Sequence, residues 1–333
     1  MRAISVASLL VSVAFAATAF AAAAPSYKIV DRIKVQDGGF DYATYDAANG
    51  RILMARPTLT TVIDVKTGKV SELASAKGGH IAMPIPGSPL LVVTQRAGNV
   101  LLVDGKTDMV VATLKAGKNP DGATYDPSSK LVFAMNHDGG DATVIDPVAK
   151  KVVGTIAIGG DLEFAVPDGA GKVYVNVEDK NQIAVIDTAS KKVTARYALK
   201  GCDGPTGLAY VASAKLLIAS CDGSAHVVRA DTGAEVASLP TAKGADAVIY
   251  DEARKLAFIP CRTGTLEVIS LADPAHISVV QHVPTQVGTR TGTLDPTTGK
   301  VYSMAAKFDA PPATAGGRAQ ALSASYEVLV IAQ

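Results

Sequence analysis

The chain has no tryptophan and only three cysteines among 333 residues, and Phe, Trp and Tyr together make up 5%. It also lacks the short signatures by which several enzyme classes are recognised. There is no His-Glu-x-x-His, no Gly-x-Ser-x-Gly elbow, no phosphate loop closing on Lys-Ser/Thr and no Cys-x-x-Cys-His. Their absence removes the helical zinc proteases, serine hydrolases with a nucleophile elbow, P-loop nucleotide enzymes and covalent haem carriers. Charge of one sign is missing too. Lys+Arg number 32 and Asp+Glu 31, so neither a nucleic-acid footprint nor a membrane-surface stripe is expected. Few aromatics likewise argue against stacking of single-stranded nucleic acid.

What is present begins with one long apolar run. Residues 1–24 open on Arg2, run apolar from Val6 to Phe20 and end in Ala22-Ala23-Ala24 before Pro25. This is the pattern of a secretory signal peptide, Ala-rich and short for a bilayer span. No other stretch is suited to crossing a membrane, so a periplasmic or secreted location is expected. Removing Arg2 leaves 31 cations against 31 anions, a mature charge of zero over 25–333.

The rest of the chain repeats itself. Ala184-Val185-Ile186-Asp187, preceded by Val173-Tyr174-Val175-Asn176, returns as Thr143-Val144-Ile145-Asp146, Thr61-Val62-Ile63-Asp64 and Leu101-Leu102-Val103-Asp104. Degraded copies end at Arg229 and Ser270. Asp64, Asp104, Asp146, Asp187, Arg229 and Ser270 are spaced 40, 42, 41, 42 and 41 residues apart. A period near 40 filled with short apolar runs and Gly/Asp turns is that of a β-propeller with four strands per blade. The N-terminal strand Tyr27–Val35 has no partner before it, and the last unit lacks a fourth strand. The expected fold is therefore an all-β, seven-bladed propeller of antiparallel strands, a single domain over 25–333, closed by the N-terminal strand completing the last blade. Such closure removes two open sheet edges.

Each first strand follows a Gly-rich loop, and these loops place Asp41, His80, Asp121, Glu163, Asp246 and Arg290 near the axis on one face. The second-strand ends add Arg56, Arg96, His137, Glu178 and Arg262 further out on the same face, because strands alternate in direction. The segment 307–325, rich in Pro and Gly and aperiodic, interrupts the last blade over that face and reads as an insertion able to act as a lid. The six axial residues form a mixed-charge funnel suited to a ligand. Within it His80, Asp121, Glu163 and Asp246 are the candidate ligands for a divalent cation, Ca²⁺ or Zn²⁺; the alternative is a polar, water-filled channel. Aspartates closing first strands, such as Asp126 and Asp295, read as turn formers. His137 lies in a turn and reads as solvated, and His226, His276 and His282 read as structural residues of strands.

Export implies an oxidising compartment. Cys202 at the start of a first strand and Cys221 at the end of the antiparallel next one are expected to pair. The disulfide would close a loop of 18 intervening residues, worth about 3 kcal/mol in the chain-entropy account. Cys261 is left over as a buried thiol.

Val173-Tyr174-Val175-Asn176, the recurrent Val-Ile-Asp, and the closing Gly288-Thr289-Arg290-Thr291, Leu294-Asp295-Pro296 and Val301-Tyr302 resemble the bacterial YVTN-repeat (YncE-like) family of exported β-propellers. The likeness spans essentially the whole mature chain. It implies a seven-bladed exported propeller and carries no mechanism over, because no catalytic motif matches residue by residue. The wider neighbourhood includes lactone hydrolases, large chains of periplasmic amine dehydrogenases and surface-layer proteins. Three readings follow. The first is a monomeric binding module for a small ligand or a periplasmic protein. The second is a metal-dependent, lactonase-like hydrolase with an axial cation, and the third a structural subunit of a periplasmic redox complex.

Overall fold

A computed structural model describes residues 25–309 and 321–333. The expected signal peptide and most of the expected lid therefore lie outside the described residues. The first strand, β1 (Lys28–Lys34), is followed by β2 (Ala43–Asp46), β3 (Arg51–Ala55), β4 (Thr60–Asp64) and β5 (Val70–Leu73), which form blade 1. Blade 2 is β6 (Gly79–Pro84), β7 (Leu90–Gln95), β8 (Asn99–Asp104) and β9 (Met109–Lys115); blade 3 is β10 (Pro120–Asp126), β11 (Leu131–Asn136), β12 (Asp141–Asp146) and β13 (Lys151–Ala157). Blade 4 is β14 (Leu162–Pro167), β15 (Lys172–Val177), β16 (Gln182–Asp187) and β17 (Lys192–Ala198); blade 5 is β18 (Leu208–Val211), β19 (Leu216–Cys221), β20 (Ser224–Arg229) and β21 (Glu235–Pro240). Blade 6 is β22 (Ile249–Asp251), β23 (Leu256–Cys261), β24 (Thr265–Ser270) and β25 (Ser278–Pro284), and blade 7 holds β26 (Gly292–Asp295), β27 (Lys300–Ala305) and β28 (Glu327–Ala332).

Each of the seven sheets is a four-stranded antiparallel meander, and β1 pairs with β28 to complete the seventh. The first strands touch one another in the order β2, β6, β10, β14, β18, β22, β26 and back to β2, so the ring is closed. Both faces of a blade are covered by its neighbours, and the middle strands are therefore apolar without alternation: Leu90–Gln95 and Leu131–Asn136 are almost wholly buried. The outermost strands have one edge in water and carry exposed residues along most of their length, as in β9 and β17. Seven apolar clusters fill the seven junctions between adjacent blades. No blade is stable alone, because half of each core belongs to its neighbour.

The repeated Asp closing the third strand has a local cause. Asp64 accepts the amides of Lys66 and Thr67 at 3.1 and 2.7 Å, and Asp104 those of Lys106 and Thr107 at 2.9 and 3.0 Å. These are Asx-type turns that tie the hairpin to the fourth strand. First-strand aspartates do the same, Asp126 toward Ser129 at 2.9 Å and Asp295 toward Thr297 at 3.0 Å. Ring closure is reinforced beside β1. Arg56, 1% exposed, donates to the carbonyls of Gly38 and Gly39 at 2.8 and 3.2 Å and lies 5.6 Å from the Tyr326 ring centre. Asp37 accepts from Ser323 and the Ala324 amide.

Two expectations need adjustment, the place of the disulfide and that of His276, and the buried Cys261 stands as expected. Cys202 and Cys221 do form a disulfide, but β18 starts only at Leu208, so the bond staples the loop entering that strand to the end of β19. Cys261 is buried, its thiol pushed up to about 12 by burial and then by the charge of Glu267. His276 is not in a strand: it precedes β25, is 82% exposed and meets Asp273 at 2.6 Å. Among the described parts of the 307–325 segment, Phe308 bridges Ala321, and the Leu322 amide donates to the Lys307 carbonyl at 2.7 Å, closing the base of the insertion.

Candidate functional site: an axial funnel with two histidine–carboxylate clusters

The chain approaches the axis at the start of each first strand, where space is short. A Cβ on Gly79 would lie 2.8 Å from Val93, and one on Gly207 2.5 Å from the Ala247 backbone. Glycine is the residue that fits such close approaches. Around the loop-rich end the chain encloses a cavity of about 280 Å³ lined by Asp41, Tyr42, His80, Asp121, Glu163 and Asp246, joined by Arg96, Asn119, His137, Glu178 and Thr206. Five of the six axial residues expected from sequence thus share one cavity, and the second-strand ends reach it as strand alternation requires. Arg56 and Arg262 do not line it.

The expected cation set of His80, Asp121, Glu163 and Asp246 does not gather as one group. His80 and Asp121 form a cluster with Asp41, and Glu163 forms another with His137 and Glu178. Asp246 goes to arginine: it is bonded by Arg290 Nε and faces Arg262 at 3.7 Å. Arg290 is held in turn by the Phe40 carbonyl and lies 5.2 Å from the Phe40 ring centre. Burial raises the Asp246 carboxyl, and the two guanidinium groups oppose that rise.

In the first cluster His80 Nδ1 lies 2.6 Å from Asp41 Oδ2 and 2.9 Å from Asp121 Oδ1. Its Nε2 is 3.2 Å from Asn119 Oδ1 and 3.3 Å from Arg96 Nε. Burial disfavours the imidazolium, but the bonds to Asp121 and Asp41 outweigh it and lift His80 to about 10. In the second, His137 Nδ1 lies 3.2 Å from Glu163 Oε1, and that contact raises His137 to about 9 against the cost of burial. His137 is therefore a funnel residue. Its amide donates to the Asn119 carbonyl of its own blade and its ring, near the Leu162 carbonyl at 3.1 Å, is half-buried against the next blade, while Asp138 and Gly139 of the same turn are exposed.

Tyr42 connects the clusters. Its hydroxyl lies 2.9 Å from Asp121 Oδ2 and 3.0 Å from Glu163 Oε2, and its ring packs edge-on to Phe164 at 5.1 Å. A phenol has one hydrogen to give, so both carboxylates are served fully only when Glu163 carries a proton and donates to the phenol oxygen while the phenol donates to Asp121. Glu163 is accordingly raised to about 7, by burial first, with His137 opposing and Asp121 adding to the rise. Glu178 is raised by burial as well. Sequence reasoning missed Tyr42, Asn119 and Thr206. The signal for Tyr42 was its place directly after Asp41, in a family of loops whose other members have no tyrosine there.

No protein-family model and no curated protein sequence matches the chain. Solved structures do. "Structure of U3-55K" superposes with a TM-score of 0.75 at 9% identity, covering 91% of this chain and 98% of that one. "Crystal structure of RRP9 WD40 repeats" gives 0.75 at 8% identity over 92% and 99%, and a chain of "Crystal Structure of Mitotic Checkpoint Complex" gives 0.73 at 13% over 95% and 99%. At such identities the likeness establishes the fold alone, a seven-bladed β-propeller of WD40-like form. Among the described residues no helix is long and apolar enough to cross a membrane.

Proposed function

We propose that the chain is an exported, periplasmic binding propeller of the YVTN-repeat kind that holds a divalent cation, and through it a small ligand or partner, in the axial funnel. The observation that carries this is the pair of clusters, Asp41–His80–Asp121 and His137–Glu163–Glu178, each with ligand atoms mutually within 4.8 Å. One imidazole with two carboxylates suits a borderline ion such as Zn²⁺ better than Ca²⁺, which takes oxygen ligands. Both histidines hold a proton near neutrality in the cation-free funnel, so an arriving ion takes the place of that proton. Calorimetric titration with Zn²⁺ in two buffers of different ionisation enthalpy tests this. Saturable binding with release of about one proton per ion is the expected result, and no saturable uptake sinks the reading.

A metal-dependent hydrolase is the second reading, favoured by Glu163. A buried carboxyl lifted to about 7 beside a candidate ligand set is placed to act as a general base on a cation-bound water. Turnover of lactones or esters that is abolished in Glu163→Gln, with the fold intact, would select it over simple binding.

A further inference from the structure

Beside the funnel lies a second, wider cavity of about 800 Å³, between the turn after β7 and the connection from β9 to β10. Its charge is opposite. Arg96, Lys115 and Lys118 line it, and among the described residues none of the three forms an ion pair. Arg96 Nε lies 3.3 Å from His80 Nε2, and its terminal nitrogens have no protein acceptor among the described residues. The one acid on the wall, Asp138, already accepts from Asn119 Nδ2 at 3.1 Å and faces His137 Nε2 at 3.8 Å. The backbone contributes as well. Asn119 sits in the left-handed region at φ 50°, and the preceding amides of Gly117 and Lys118 donate to no protein acceptor among the described residues. Successive free amides before a left-handed residue form the concave donor surface that oxyanions occupy.

Arg96, Asn119 and His137 belong to the walls of both cavities, so groove and funnel are continuous. We infer that the groove is the seat of an oxyanion, a carboxylate or phosphate group, on a small acidic ligand whose other end reaches the funnel. Two aliphatic ammonium groups, a guanidinium with free terminal nitrogens and two free amides supply charge and directed donors together. The groove volume is that of a small-molecule site, and the neighbouring funnel fixes which way the ligand points. The reach into the funnel rests on the cation reading proposed above; oxyanion binding in the groove does not.

The test is calorimetry at low ionic strength with succinate and, separately, inorganic phosphate, on the wild type and on Lys115→Glu/Lys118→Glu. Neither lysine touches the funnel clusters, and the melting temperature should be unchanged. With a chelator present, saturable binding of one anion is expected, weakened by about tenfold or more in the double variant because two attractive charges become repulsive. The tighter of the two anions identifies carboxylate or phosphate chemistry. Equal affinity in wild type and variant, or no saturable binding of either anion, overturns the inference. Repeating the succinate titration with Zn²⁺ loaded should tighten binding by about tenfold, the mark of a ligand held at both ends. If Zn²⁺ binds by itself and leaves succinate affinity unchanged, the bridging claim is wrong while the cation reading stands; if Zn²⁺ does not bind, the cation reading fails and the groove result is judged separately.

Discussion

Replacing Tyr42 by Phe removes one oxygen atom and isolates the claim that the phenol holds two carboxylates together. The residue is 4% exposed, so its hydroxyl is held by protein partners. Each hydrogen bond to a charged partner is worth about 1.5–3 kcal/mol, and two sharing one hydroxyl add less than fully, giving about 3 kcal/mol lost at pH 5, where Glu163 holds its proton and both bonds are made. Unfolding entropy of about 2.1 cal/mol/K per residue over the 309 residues from Pro25 onward (333 minus 24) is about 0.65 kcal/mol/K, so the melting temperature should fall by about 5 °C. The loss should depend on pH. Glu163 has a folded value of about 7, above its ordinary 4.5, so the stability tied to its proton is complete below 4.5 and lost as pH rises through 7. Above that interval the single phenol hydrogen serves one carboxylate only, so the penalty of removing it shrinks as Glu163 ionises. Thermal denaturation of both proteins at pH 5 and pH 8 measures it. A shift below about 1 °C at pH 5, or the same shift at both pH values, would refute the proton-sharing arrangement.

Other consequences are as direct. His80 is raised to about 10 from 6.5, so the stability from its charged bonds is present in full below 6.5 and fades as pH rises through 10; His80→Gln should flatten the wild-type decline in melting temperature between pH 7 and 10.5, and an unchanged slope would contradict the assignment. Reducing Cys202–Cys221 should cost about 3 kcal/mol in the chain-entropy account, read as a fall in melting temperature with dithiothreitol that a Cys202→Ala/Cys221→Ala variant does not show. Arg56→Ala leaves the Gly38 and Gly39 carbonyls without their donor inside the closure and should destabilise by about 3 kcal/mol, measured by urea unfolding; a loss under about 1 kcal/mol would mean that water replaces the guanidinium.

Much of this was written in the repeat. A period of about 40 residues, apolar middle strands and turn aspartates name the propeller because every blade must solve the same packing problem with the same local pieces. The displaced β1 was readable from arithmetic, since a strand left over at one end matches one missing at the other. Asp41, His80, Asp121, Glu163 and Asp246 were found by position, shortly after each Gly-rich approach to the axis. Their pairing was not readable. Whether Asp246 joins a cation site or an arginine depends on how far the Arg290 side chain reaches across the ring, and spacing does not encode that. His137 was placed on the right face but read as solvated: its turn is exposed, yet its ring packs against Glu163 and Leu162 of the adjacent blade. The basic groove escaped notice because Lys115 and Lys118, at and just after the end of β9, meet Arg96 from the turn after β7, and the three form no run in sequence.

The central claim is that the funnel takes a cation, and elemental analysis of the protein purified without a chelator tests it most directly. Zinc or a similar borderline ion, bound in near-stoichiometric amount and lost in both His80→Asn and His137→Asn while the fold persists, is the predicted result. Absence of metal from the wild type, together with no uptake on adding Zn²⁺, would contradict it.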